Sequence, residues 1–278
     1  MNITQFTKLF QIFVQKKWTD QNVYEIVLEN FCNLLMNLTD HQRELVLELA
    51  ERYVWISSNE YQAKLTNILK SIENEKLLNC KRIIVFPIMK PEDEENVKSS
   101  HTIVYMIRGL MPFINEYDNI EIIELIKYDE IKEDHFKPRD SDLIFLVDDY
   151  LGSGETIKLT LDNVLSNRSI QLEQLNVIAI ASQQDTIEFV KNCNIPIYYD
   201  LVQKRGISDY YDPAISTEKI NTMLEIEELI SGCGFFSLGY NQSEALITMI
   251  RTPDNTFPIF WKEHQKNGQE YKPPFPRY

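Results

Sequence analysis

The chain has 278 residues, of which 44% are hydrophobic and 25% charged, and a formal net charge of −14; this allows one large or two smaller globular domains and argues against a broad nucleic-acid surface, though a local basic groove is still compatible with it. No apolar run approaches membrane-spanning length and the start Met-Asn-Ile-Thr-Gln-Phe has no signal-peptide pattern, so a cytoplasmic protein with no membrane partner is expected. The four cysteines, Cys32, Cys80, Cys193 and Cys233, are scattered without a Cys-x-x-Cys pair and read as free thiols, not as a zinc site or a disulfide framework.

Residues 1–78 are helical in pattern. Phe6, Leu9, Phe10, Phe13 and Val14 repeat at i, i+3, i+4, i+7 and i+8. A second helix starts at Thr19-Asp20 and puts Val23, Ile26, Val27, Leu34 and Leu35 on one side. A third begins at Thr39, where Gln42 completes a capping box, and a fourth follows Ser57-Ser58-Asn59 with Tyr61, Leu65, Ile68, Leu69 and Ile72. Aromatic stripes of this kind usually form core, so this region predicts a helical bundle or appendage whose sequence names no chemistry.

At Cys80 the period changes. Arg82–Met89, Ile120–Ile126, Leu143–Val147, Leu175–Ala181 and Ile195–Val202 read as strands, with helices from about His101 to Leu110, Thr156 to Leu165 and Asp185 to Lys191 between them. Strands alternating with helices predict an α/β domain over 79–278, built on a five-stranded, mostly parallel sheet with right-handed crossovers. Beyond the fifth strand come Lys204-Arg205-Gly206, a helix from about Thr217 to Ile230, and a tail holding five of the eleven prolines, which predicts irregular packing.

The third strand carries the chemistry. Its apolar run ends on Asp148-Asp149, and Gly152-Ser153-Gly154-Glu155-Thr156 then leads into a helix. The glycines can bring backbone N–H groups to an oxyanion, Ser153 and Thr156 add hydroxyls, and the helix adds its positive dipole end: a phosphate cradle. The two carboxylates would repel that phosphate, so they should face sugar hydroxyls or a cation such as Mg2+. A P-loop would need Lys after Gly154, and a dinucleotide fingerprint would need a third Gly where Ile157 stands.

The run Val147 to Thr156 resembles the 5-phosphoribosyl-1-pyrophosphate signature of type I phosphoribosyltransferases. The resemblance implies that Asp148 and Asp149 contact the ribose hydroxyls as the catalytic acidic pair, with Mg2+ held there, and that Gly152, Ser153, Gly154, Glu155 and Thr156 hold the 5′-phosphate. It also implies a mobile catalytic loop between the second and third strands, where His135, Lys137 and Arg139 lie, and a hood over about 206–278 that selects the acceptor. Lys204 and Arg205, directly after the fifth strand, are further candidates for anion contact. In active family members the loop after the first strand binds pyrophosphate, whereas here it holds Glu92-Asp93-Glu94-Glu95, which would repel a polyanion.

The tail, with Pro253-Asp-Asn-Thr256, Pro258-Ile-Phe-Trp261 and a terminal Pro-Arg, is similar to the phosphoribosyltransferase-like family of bacterial conflict, or antiviral defence, systems, over roughly residues 80–278. That resemblance implies an effector acting by glycosyl transfer on phosphoribosyl pyrophosphate or a nucleotide. The alternatives are a catalytically inactive nucleotide-sensing module, or a scaffold whose N-terminal helices dock a partner protein.

Overall fold

The 3.6-residue periods of the N-terminal region fold as helices, two of them started by capping boxes. In the structure, a computed structural model describing residues 1–277, α1 (Ile3–Gln15) opens on a capping box between Asn2 and Gln5, and α3 (Asp40–Arg52) on the box between Thr39 and Gln42. Between them lies α2 (Tyr24–Met36), which begins after Val23 with no side-chain cap and not at Thr19-Asp20 as expected, because Trp18–Asp20 form a separate 3-10 turn that buries Trp18. The first apolar stripe is not all core. Leu9 and Phe13 are buried, but Phe6, Phe10 and Val14 are 41%, 42% and 52% exposed, so the stripe is wider than the surface α1 packs on. After α3 the chain forms a two-residue strand, β1 (Val54–Trp55).

The contacts of the chain divide it into two units: Met1–Ser57 together with the stretch from Gln203 onward, and Ser58–Val202. The second unit is therefore an insertion in the first.

The inserted unit begins with α4 (Ser58–Lys70) and α5 (Asn74–Leu78). Then follow β2 (Arg82–Pro87), α6 (Ser99–Leu110), β3 (Glu121–Glu124), the short α7 (Tyr128–Ile131), β4 (Asp142–Leu151), α8 (Glu155–Val164), β5 (Leu175–Gln183), α9 (Gln184–Asn192) and β6 (Ile197–Gln203). The strands form one five-stranded sheet in the order β3-β2-β4-β5-β6, with β2–β3, β2–β4 and β4–β5 parallel, as the alternation of periods predicts.

Both faces of the sheet are covered, which explains the unbroken apolar runs. Alternate side chains Ile84, Phe86, Ile144, Leu146, Val177 and Ala179 share a core with Ile157, Leu161 and Val164 of α8 and Val190 of α9, while α4 and α6 pack on the strands too. At the N-terminal end of the sheet, buried Asp142 accepts from Arg82 Nε at 3.0 Å and from the Arg139 N–H at 2.8 Å, fixing the β2/β4 register there.

The flanking unit resumes with α10 (Pro213–Glu227), started by Asp212 as N-cap and by Pro213, whose missing N–H costs nothing at that position. Most of the tail is irregular, but β7 (Ile247–Thr248) pairs in parallel with β1, and β8 (His264–Lys266) pairs antiparallel with β9 (Gln269–Tyr271) across Asn267-Gly268, both at positive φ. The core of this unit is aromatic. Phe13, Trp18, Phe31, Tyr53, Phe260 and Phe275 interlock, with the Tyr53 and Phe275 rings stacked 4.8 Å apart.

Candidate functional site

The acidic pair does not end its strand. Where an end was expected at Val147, β4 continues to Leu151, because Asp148 pairs with Ala179, Tyr150 with Ala181 and Leu151 with Ser182 of β5. On the other side, pairing with β2 stops at Pro87↔Val147. Asp148 and Asp149 thus lie one step past the end of β2, open on that side and laddered on the other.

Their oxygens are already in use. Asp149, 5% exposed, accepts a hydrogen bond at Oδ2 from the Tyr61 hydroxyl of α4 at 2.9 Å. Asp148 accepts at Oδ1 from the Asp149 N–H at 2.8 Å and from Ser99 Oγ, at the start of α6, at 3.3 Å. Burial, then the neighbouring Asp149 charge, push the Asp148 carboxyl well above the usual carboxylate range, and a hydrogen bond from its protonated form to Asp149 adds to the shift.

After Leu151 the chain turns into α8 through Gly152, Ser153 and Gly154. Gly154 takes φ +81° as the N-cap, and no side chain caps the helix. The cap itself therefore offers no side-chain acceptor, and the helix start adds its positive dipole end, the arrangement that favours an anion. The Thr186 hydroxyl of α9 braces the turn by donating to the Gly152 carbonyl at 2.6 Å. Ser153 is exposed, Thr156 half-buried, and Glu155 at the helix start pairs with Lys90 at 2.7 Å.

The loop after β2 departs from what its charges suggest. Asp93 pairs with Lys98 at 2.9 Å, Glu95 with Lys127 at 3.2 Å, and Glu94 accepts from the Tyr128 N–H. Three of the four consecutive acids are thus spent on contacts within the unit. Met89, where the loop begins, is pinned through its carbonyl by the hydroxyls of Tyr128 at 2.6 Å and Thr160 at 3.1 Å.

The structure gathers Asp148, Asp149 and Gly152 to Thr156 at one end of β4 but sends Lys137 and Arg139 to the other. The Arg139 N–H bonds Asp142, the first residue of β4, and six strand residues at ~3.3 Å each put about 20 Å between Asp142 and Asp148. Lys137 follows Phe136, whose carbonyl is bound by Asn167 beyond the C-terminus of α8, so it too lies away from the turn at that helix's start. His135 is held locally, Nδ1 to the Asp129 carbonyl at 2.8 Å. Lys204 and Arg205 are exposed and belong to the flanking unit, where the Arg205 N–H donates to Asp209 at 2.8 Å. In that unit Asn255 bonds Ser243 at 3.0 Å, and Trp261 Nε1 donates to the Thr256 carbonyl at 2.8 Å.

Sequence reasoning missed Tyr61, Lys90, Ser99 and Thr186. A short-range signal existed only for Lys90, the one cation at the head of an acidic loop. For Mg2+, the described residues contain no cluster of three or more His, Cys, Asp or Glu that could hold a metal. Two adjacent carboxylates fit only the mode in which Mg2+ takes one or two protein ligands and completes its shell from substrate phosphates and water.

A family model described as PRTase-CE matches residues 28–277. A search of curated proteins returns no match. The matched span takes in most of α2 and all of α3, so the shared pattern reaches well before residue 80, where the motif resemblance begins. No helix among the described residues is long and apolar enough to cross a membrane.

Proposed function

The chain belongs to the PRTase-CE family, and from that premise we propose that it binds a ribose 5-phosphate group, as phosphoribosyl pyrophosphate or a nucleotide, at the C-terminal end of β4. The observation that carries this reading is the uncapped start of α8 at Gly154, φ +81°, directly after an acidic pair on the same strand. The turn Gly152–Thr156 takes the 5′-phosphate on backbone N–H groups and hydroxyls; Asp148 and Asp149 take the ribose hydroxyls.

The reaction that suits this site is glycosyl transfer. The C1–O bond to the diphosphate breaks with its electron pair leaving on the diphosphate, and an acceptor lone pair forms the new bond at C1. Such an oxocarbenium-like path needs the phosphate and ribose held rigidly and no protein nucleophile. Mg2+, when bound, neutralises leaving-group charge, and Asp148 and Asp149 are the residues that would hold it. The tail motifs support a role as an effector in bacterial antiviral defence. The exposed Ile3, Phe6, Phe10 and Val14 of α1, outside the matched span, support a partner protein docking on the N-terminal helices.

A second reading, a nucleotide sensor without turnover, is favoured by the loop after β2, where the acids from Glu92 to Glu95 outnumber the lysines Lys98 and Lys127 that pair with them and so still suit pyrophosphate poorly. Two measurements separate the outcomes. Phosphoribosyl pyrophosphate with Mg2+ at a hundredfold excess over the dissociation constant should stabilise the protein by about 2.7 kcal/mol, on the order of 2–4 °C per kcal/mol, and the double variant Asp148→Asn, Asp149→Asn should lose that shift. Released pyrophosphate marks the enzyme; a shift without release marks the sensor. A shift that survives the double variant means the carboxylates are not the ribosyl site.

A further inference from the structure

We propose that Thr186 is the positioning residue of the phosphate turn: its hydroxyl sets the Gly152–Ser153 peptide so that the Ser153 N–H faces the anion. The proposal rests on the ribosyl reading of the turn given above. Thr186 lies in the first turn of α9, just past the end of β5, and is 1% exposed. It reaches the phosphate turn because β5 is laddered to β4 up to the last residue of β4, Leu151 opposite Ser182, so the chain leaves both strands side by side.

The hydroxyl has one proton to give. A threonine in a helix commonly spends it on a carbonyl of the preceding turn, whereas Thr186 donates to the Gly152 carbonyl, 34 positions away, at 2.6 Å. In a trans peptide the carbonyl and the N–H that follows it point in opposite directions. With the Gly152 oxygen held on the α9 side, the Ser153 N–H is turned away from α9. It donates to nothing among the described residues, and neither does the Gly154 N–H after it. Two successive N–H groups of this kind make the concave, partly positive surface that suits a phosphate oxygen.

Without the brace, the peptide has another setting. Gly152 has no Cβ to oppose a flip, and a flipped peptide would aim the carbonyl oxygen at the anion in place of the N–H. Charge does not make good the lost donor, since Lys90, which reaches the turn, is paired with Glu155 at 2.7 Å. Thr186 also lies against the far end of the turn, where a Cβ on Gly154 would stand 3.1 Å from its Oγ1 and 3.7 Å from its methyl group. Stiff at χ1 and packed on the turn, the side chain has little freedom to release the carbonyl. The 5′-phosphate is then held in one place, as a reaction that depends on orientation requires.

Three variants of the full-length protein test this. Thr186→Val keeps the shape and loses the donor. Thr186→Ser and Thr186→Ala differ from each other only in the hydroxyl, and carry the comparison if Thr186→Val does not fold. In calorimetry with ribose 5-phosphate and with inorganic phosphate, Thr186→Val and Thr186→Ala should each weaken both ligands by about tenfold, the loss of one hydrogen bond to a charged group, and Thr186→Ser should stay within about threefold of the wild type. Serine-selective 15N labelling, with Ser153→Ala to assign the signal, reads the peptide directly. On adding inorganic phosphate, the Ser153 amide proton should move downfield in the wild type and in Thr186→Ser, and stay in place in Thr186→Val and Thr186→Ala.

A residue that only packs would lower the melting temperature without moving either readout, and equal losses in Thr186→Ser and Thr186→Ala would assign the effect to the methyl group; each result overturns the proposal. If inorganic phosphate follows the expected pattern while ribose 5-phosphate binds no more tightly than it does, the ribosyl reading fails and the role of Thr186 stands. If neither ligand binds the wild type, both fall.

Discussion

Gly154 shows how narrowly one position can be specified. At φ +81° any L side chain is strained, and a Cβ there would meet Thr186 Oγ1 at 3.1 Å, the hydroxyl that braces the turn. Gly154→Val should therefore abolish phosphoribosyl binding and lower stability by about 1–3 kcal/mol, little enough to leave the protein folded for the titration. Unchanged affinity would remove the cradle assignment.

His264 gives a residue-scale prediction in pH. Its ring is fully buried, stacked on Tyr271, with Nε2 facing the Asn37 amide and Nδ1 without a hydrogen-bond partner among the described residues; burial lowers its pKa to about 4. Because the folded value lies below that of the unfolded chain, about 6.5, the unfolded state binds the extra proton first. Stability from this group is thus complete above about pH 6.5 and is lost as pH falls toward about 4, by up to about 3 kcal/mol. Urea melts of wild type and His264→Phe at about pH 7 and pH 4.5 should show the variant losing less on acidification; parallel losses would mean the ring already charges freely.

At this scale the chain's own order decided what could be read. Asp148, Asp149 and Gly152 to Thr156 are neighbours in sequence and stay neighbours in space. Tyr61, Ser99 and Thr186 reach the same place from separate elements, and nothing in their local pattern distinguishes them from core or surface. Lys137 and Arg139 had the right chemistry but were carried to the other end of β4.

Among the elements, those called by a long period were legible and those made by pairing were not. The three N-terminal helices, the crossover helices and all five strands follow their periodicity. By contrast, β4 runs on through two aspartates, poor strand formers, because β5 pairs with Asp148, Tyr150 and Leu151. The β1–β7 ladder hides between helices, although Tyr53-Val54-Trp55-Ile56 is rich in strand formers, and the β8–β9 hairpin was not anticipated, although Asn267-Gly268 is a hairpin dipeptide. The proline-rich tail is irregular as its composition implies, yet it is structural. Phe275 lies edge-on or stacked against Trp18, Phe31, Tyr53 and Trp55 and is 4% exposed. Phe275→Ala should cost about 3–5 kcal/mol, read as a fall in the denaturant midpoint; a loss below about 1 kcal/mol would show that the site collapses to fill the space.

On the scale of the whole molecule, the change of period at Cys80 marks where strands begin, whereas contacts change hands at Ser57/Ser58 and Val202/Gln203. Periodicity identifies a helix but not the core it serves, which is why α4 and α5 read together with α1 to α3 and pack with the sheet. A fragment spanning Ser58–Val202 contains the acidic pair, Tyr61, the turn and both layers of helices. It should fold alone, with a cooperative thermal transition and the Asp148 and Asp149 NMR signals of the full protein; a fragment without such a transition would show that the sheet unit depends on its flanks.

An inserted unit also imposes an order on synthesis. The sheet has all its strands as soon as β6 emerges from the ribosome, while α1 to α3, made before it, wait for Phe257, Phe260 and Phe275, made after it. At 5–20 residues per second, the roughly 75 residues after Val202 take on the order of 4–15 s. For that interval Phe13, Trp18, Phe31 and Tyr53 have no lid. The nascent chain therefore passes through a stage with a finished sheet and an open aromatic face, when a chaperone has its window and when protease added to stalled ribosomes should cut the first 57 residues while sparing the sheet.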